Sequence, residues 1–358
     1  MNESVAFSTK KLCLGHLAVL GFVLHSSLGC SRCSCAGRVP SGGASPAGGI
    51  VLPESLQSLE PHYRAAMARA RAWLDNLHVD PLELRAVHIK GKKKLVEQLD
   101  SYYRLWQVAP QPEKAELLER IRQVVAITFE DRYHDMATIS DRWFKQDATS
   151  YLRAAVLMER LGLDTTRYRE EIRKIHGRLN GHMERRGPHQ RRVFHWYYAH
   201  FGLAEPFPLD GALEAGVIAQ RLDPAKMTNN DVYSLTHEVY AVYEYGDQRD
   251  VDPFDTASKA YLRTTIGSLI HRYKAKSDPD LAGELVECLH YLRMQDSPAY
   301  LDGVHFLLSS QNQDGSWGSY AHHTERLGKY VNHGFRLHTT LVAIGALTAI
   351  FERPMTAV

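Results

Sequence analysis

The sequence predicts an all-α protein, and three observations carry that expectation. Apolar residues recur at spacings of three and four through most of the chain, no run alternates or concentrates β-branched residues as a strand would, and the breaks are short and rich in Pro, Gly and Asp. With 358 residues and 44% hydrophobic content, the chain has enough apolar surface to bury a substantial core. A formal charge of +2, with Lys and Arg mixed among Asp and Glu, leaves no basic face for a phosphate backbone, so no nucleic-acid partner is expected. The basic run Lys90-Gly91-Lys92-Lys93-Lys94 reads as a solvated helix end, with contact to an anionic lipid or polymer as the alternative.

The first segment, residues 1–36, reads as an export signal. Lys10-Lys11 precede an apolar run from Leu12 to Leu24, and Ser26, Ser27 and Gly29 follow. That run is shorter than the roughly 20 residues a membrane span needs. Cys13, Cys30, Cys33 and Cys35 all fall here, leaving Cys288 alone in the body, so no disulfide framework is expected. Ser27-Leu28-Gly29-Cys30 resembles a bacterial lipoprotein cleavage box, with its Leu one position out of place, while Ser34-Cys35-Ala36 offers an ordinary signal-cleavage site. The expected location is therefore extracytoplasmic, as a periplasmic protein or a membrane-anchored lipoprotein that meets the membrane only through its lipid. Residues 37–52, rich in Gly, Ser, Ala and Pro, read as a flexible tether.

Residues 53–358 form the folded body. Tyr168, Ile172, Ile175, Leu179 and Met183 make one apolar helix stripe, and Leu281, Leu285, Leu289 and Leu292 make another. Turn signals at Gly162 to Thr166, Arg186-Gly187-Pro188, Glu205-Pro206-Phe207-Pro208, Asp250 to Pro253, Ser277 to Asp280 and Asp296-Ser297-Pro298 divide the body into about a dozen helices. Tyr151-Leu152-Arg153 and Tyr291-Leu292-Arg293 echo each other, and helix pairs at intervals of roughly 45 residues point to a solenoid or a closed ring of hairpins.

One segment is more specific. Gly303-Val304-His305-Phe306-Leu307, followed by Gln311, Gly315 and Trp317, resembles the QW repeat of the α/α-toroid superfamily, which includes triterpene cyclases and protein prenyltransferase β subunits. The resemblance implies an α/α toroid, with Gly315 making a tight turn, Trp317 covering helix ends and Gln311 satisfying backbone groups. It does not extend to the chemistry. The acidic DxDD motif of squalene-type cyclases is absent, and Asp278-Pro279-Asp280 reads as a helix cap. Cys288 is the single thiol available in the body for a prenyltransferase-like zinc site.

In such a toroid the inner helices turn their N-terminal halves toward a central funnel, so polar residues at helix starts are the candidate site. Thr228 to Glu238 carries Asp231, Tyr233 and His237, with Tyr233 and His237 on one helical face. Asp280 to His290 carries Glu284 and Glu287; Ala321 to Thr324 carries His323; Asn332 to Thr340 carries His333, Arg336 and His338. The segments around Tyr233-Ser234-Leu235-Thr236-His237 and Leu337-His338-Thr339-Thr340 look like those of bacterial α/α-toroid proteins. His237, His338 and one of His323 or His333, with Glu284 or Glu287, are suitable ligands for a divalent metal such as zinc, copper or iron, which would activate water or polarise a carbonyl. A metal-free alternative takes Tyr233 and His237 as acid and base on a polymer, as in polysaccharide lyases, with Arg336 neutralising a carboxylate. Asp231 and Glu284 would be the carboxylate pair of a glycoside hydrolase. Asp231, Glu287 and Trp317 are the candidate substrate contacts. The expected function is an exported protein with a polar central pocket, metal-assisted and acting on a small molecule or cell-envelope polymer. The rival from another class is a non-catalytic envelope binding or scaffold protein.

Overall fold

In the computed structural model, which describes residues 52–206, 215–353 and 355, every regular element is a helix. The expected signal 1–36 and, save for residue 52, the tether 37–52 lie outside the described residues, with four of the five cysteines. Among the described residues twelve helices have eight residues or more: α1 Glu60–Asp75, α2 Gly91–Val108, α3 Gln111–Val124, α4 Asp141–Arg160, α5 Thr166–Lys174, α6 His176–Met183, α7 Pro188–Phe201, α8 Asn229–Val242, α9 Thr256–Ala275, α10 Pro279–Tyr291, α11 Pro298–Ser309 and α12 Leu337–Glu352.

Local chemistry sets the helix ends. Pro61, Pro112, Pro188, Pro279 and Pro298 stand in the first turns of α1, α3, α7, α10 and α11, where a missing N–H is no loss and φ is preset. Thr228 and Asp231 form a capping box on α8: Asp231 Oδ2 accepts from the Thr228 N–H at 2.8 Å, and Thr228 Oγ1 accepts from the Asp231 N–H at 3.3 Å. Asp278 caps α10, accepting from the N–H groups of Asp280 and Leu281. The stripe Tyr168 to Met183 is buried throughout, but the helix predicted to carry it is divided at Ile175, whose ψ of 4° separates α5 from α6.

Packing encloses some helices far more than others. α10 is buried along all thirteen of its residues, which requires neighbours on every side, and it has them in α8, α9, α11 and α12. α12 packs on α10, α2 and α1, while α2 packs on α3, α4 and α12. The stretch Asn332–Glu352 has the length and apolarity of a membrane span, yet its most apolar 18-residue window is 72% buried within the protein, as a core helix would be.

The first and last helices of the body meet. Tyr63 of α1 stacks on Phe351 of α12 at 4.5 Å between ring centroids. Gln311 donates to the Ala66 carbonyl of α1 and to the Gly315 carbonyl, both at 2.9 Å. Gly315 has φ of +93° and lies against the Arg69 carbonyl, leaving no space for a side chain. Trp317 is fully buried and its indole N–H donates to Leu307 O at 2.8 Å, closing the C-terminal end of α11. Trp317 is therefore a packing residue, a correction to its expected place among the substrate contacts.

Candidate functional site

The first turns of six helices surround a cavity of about 1180 Å³. Lys90, Lys93 and Lys94 reach it from the start of α2, Arg142 from α4, His189 and Gln190 from α7, Asp280 from α10 and His338 from α12. α8 contributes Asn230, Tyr233, Ser234 and His237, which share one face at helical spacing. Tyr320 and Phe335 close another side, their rings 4.8 Å apart, where a short π-helix, Asn332–Arg336, leads into α12.

On the wall made by α8, α10 and α12, polar atoms outnumber their partners. Tyr233 donates its hydroxyl to Asp280 Oδ2 at 2.5 Å. The other oxygen, Asp280 Oδ1, is 3.7 Å from His338 Nε2, and His338 Nδ1 is 2.9 Å from Glu97 Oε1 of α2. Neither approach has hydrogen-bond geometry. Asp280 Oδ1, His338 Nδ1 and Glu97 Oε1 are consequently buried with no hydrogen-bond partner among the described residues, although Asp280 is only 2% exposed and Glu97 only 3%. His338 Nδ1 and Glu97 Oε1 nevertheless face each other as an ion pair, and Lys93 Nζ is 3.3 Å from the same Glu97 oxygen, so of the three it is Asp280 Oδ1, on the cavity lining, that is left for a donor from a ligand.

Charge at this wall follows from burial and neighbours. Burial alone would raise the Glu97 carboxyl, but Lys94 Nζ at 2.6 Å, Lys93 Nζ at 3.3 Å and His338 outweigh it and hold Glu97 well below the usual range. Glu284 goes the other way: burial and the Asp280 carboxylate push it well above that range. Its Oε2 is 2.5 Å from Thr236 Oγ1, one layer behind the cavity. Burial and Asp280 likewise raise the Tyr233 phenol, which holds its proton firmly.

His237 Nδ1 lies 2.8 Å from the Tyr233 carbonyl oxygen. Because a carbonyl only accepts, Nδ1 carries the proton and Nε2 the lone pair. The side chain keeps 31% of its surface open toward the cavity; desolvation, with His189 and His338 nearby, pulls its pKa down to about 3. The ring is neutral at pH 7. His189 faces it at 5.5 Å between centroids and is itself lowered to about 4 by burial and Arg186.

The structure brings Tyr233, His237 and His338 to one cavity and distributes the other expected residues elsewhere. Asp231 is used in the α8 capping box, Glu287 accepts from the Tyr291 hydroxyl at 2.5 Å and faces Arg104, and Arg336 pairs with Asp314 at 3.0 Å. His323 stacks on Phe335 at 4.0 Å, and His333 sits by Tyr330. No three His, Cys, Asp or Glu side chains converge as metal ligands among the described residues. The lysine run is not simply a solvated end: Lys92 is fully buried over the Tyr133 ring, Lys94 is buried against Glu97, and Lys93 faces the cavity.

Several site residues escaped sequence reasoning, namely Glu97, Asp280, His189, Lys90, Lys93 and Arg142. Each stands in or beside the first two turns of a helix that reaches the cavity, so the rule that selected Tyr233 and His338 covers them once the inner helices are known.

Neither the curated proteins nor the solved structures contain a match to this chain. The profile of one family, described as a domain of unknown function (DUF6895), matches residues 63–348, and the chain belongs to that family.

Proposed function

We propose that the helices close into an α/α toroid and that its cavity performs metal-independent acid–base chemistry on a bound ligand, with His237 as base and Tyr233 as acid. The ring is supported by α12, which meets α10 on one side and α2 and α1 on the other, so that the end of the body packs on its beginning. The observation that carries the chemistry is the Tyr233–His237 face on the cavity, with the buried Asp280 Oδ1, which has no hydrogen-bond partner among the described residues, beside it.

The proposed roles follow from the hydrogen bonds. His237 Nε2 takes a proton from the ligand while Nδ1–H stays on the Tyr233 carbonyl. Tyr233 releases its hydrogen bond to Asp280 Oδ2 and gives its phenolic proton to the leaving or developing anionic oxygen, after which His237 loses the proton it took to solvent and Tyr233 regains one from solvent water. Consistent with an export signal at 1–36, the proposed setting is extracytoplasmic and the proposed ligand a small molecule or cell-envelope polymer.

The test uses the full chain with envelope polysaccharides, following new reducing ends and the ultraviolet absorbance of new double bonds. Turnover that persists with a chelator and falls at least about a hundredfold in both Tyr233→Phe and His237→Gln supports the proposal. Near-stoichiometric zinc, copper or iron in the parent, absent from the His237→Ala/His338→Ala double variant, would return the site to a metalloenzyme. Tight ligand binding with no turnover would make it a binding protein.

A further inference from the structure

The cavity has two unlike halves. The α8, α10 and α12 side holds the acid–base groups, and the starts of α8 and α10 are capped by Thr228 and Asp278. The α2, α4 and α7 side holds Lys90, Lys93, Arg142, His189 and Gln190, and none of those three helices has a side-chain cap on its first N–H groups. Three uncapped helix starts place the positive ends of their dipoles at the same wall as the cations.

Those cations are under-compensated. Lys90, Lys93, Lys94, Arg142 and Arg326 line the cavity, whereas Asp280 is the single carboxylate in the lining and Glu97 stands just behind it, shared by Lys93, Lys94 and His338. Neither Lys90 nor Arg142 has an ion pair among the described residues; Arg142 merely lies over the Trp143 ring at 5.4 Å. Like charge is felt here, since Lys93 pulls the Lys90 ammonium below its usual value. At about 1180 Å³ the cavity exceeds the roughly 300–1,000 Å³ of pockets for single small molecules, and Tyr320 and Phe335 are part of its lining.

Resting on the acid–base function proposed above, we infer that the ligand is an acidic saccharide, whose carboxylate is held by Lys90, Lys93 and Arg142 at the starts of α2 and α4 while the sugar ring spans to Tyr233 and His237. The unpartnered Oδ1 of Asp280, a residue only 2% exposed, then accepts from a ligand hydroxyl. A bound carboxylate also offsets the positive field that, with burial, keeps His237 a weak base, so the substrate itself strengthens the base that acts on it.

The experiment is calorimetric binding of trigalacturonate, maltotriose and inorganic phosphate to the full chain carrying Tyr233→Phe, which removes the proposed acid. Trigalacturonate should bind at least about tenfold more tightly than maltotriose or phosphate. Lys90→Gln/Arg142→Gln should weaken it about a hundredfold, roughly tenfold per cation, and leave maltotriose unchanged. Both side chains are exposed and free of ion pairs, so these changes do not endanger folding. Equal affinity for the neutral and acidic sugars, phosphate binding as tight as trigalacturonate, no trigalacturonate binding, or an unaffected double variant would each overturn the inference. Failure here with Tyr233- and His237-dependent turnover of a neutral glycan would leave the acid–base function standing. Trigalacturonate binding without any turnover would do the reverse.

Discussion

Glu97→Gln removes one charge from the floor of the cavity without changing its shape, and its cost can be worked from the surrounding distances. Glu97 neutralises Lys94 Nζ at 2.6 Å and Lys93 Nζ at 3.3 Å, and His338 Nδ1 lies at 2.9 Å. The Lys94 side chain is only 5% exposed, so without the carboxylate its ammonium is a buried charge with no counterion. Breaking one side of such a pair costs about 3–5 kcal/mol, a large part of the roughly 5–15 kcal/mol that stabilises a domain. Urea denaturation followed by circular dichroism should show the midpoint falling by about 1–2 M. Lys94→Met should cost less, because Glu97 retains Lys93. The Lys94→Met/Glu97→Gln pair, which leaves no uncompensated charge, should be at least about 1 kcal/mol more stable than the two separate costs add up to. A Glu97→Gln protein within about 1 kcal/mol of the parent, or strictly additive costs, would refute the view of Glu97 as the counterion of this cluster.

Two further outcomes follow from burial and backbone geometry. His290 is 2% exposed and burial pulls it to about 4, from 6.5 in the unfolded chain; between those values the unfolded state binds a proton that the folded state does not. Stability should therefore fall as pH drops below about 6.5, by up to about 1.4 kcal/mol per pH unit from this residue, and urea midpoints from pH 7 to 5 should slope less in His290→Gln; identical slopes would dismiss the assignment. Gly315→Ala meets both a φ of +93° and the Arg69 carbonyl, and should lower the melting temperature by roughly 4–10 °C, whereas Gly177→Ala, in open space on α6, should not; equal behaviour of the two would remove the structural reason given for Gly315.

Much of the fold was legible because helical periodicity and turn chemistry are local signals. The Leu281 to Leu292 stripe, the Asp278 cap and the Pro-led helix starts need only a few neighbouring residues to be recognised, and each is present in the structure. The division of the Tyr168 to Met183 stripe at Ile175 left no mark in that pattern, since both parts bury the same face. The site was half legible for a related reason. Tyr233, His237 and His338 could be chosen as polar residues at helix starts, but what they do depends on Glu97, Asp280 and His189, which arrive from α2, α10 and α7. The lysine run shows the limit most clearly. Along the sequence, Lys92, Lys93 and Lys94 are three equal charges on the first turn of a helix. In the fold one lies over a tyrosine ring, one faces a cavity and one is buried on a carboxylate, because successive helix positions are about 100° apart and α2 has neighbours on three sides. Composition averages such charges into a near-neutral chain; the cavity sorts them, and the sorting gives the cation-rich half its preference for an acidic ligand.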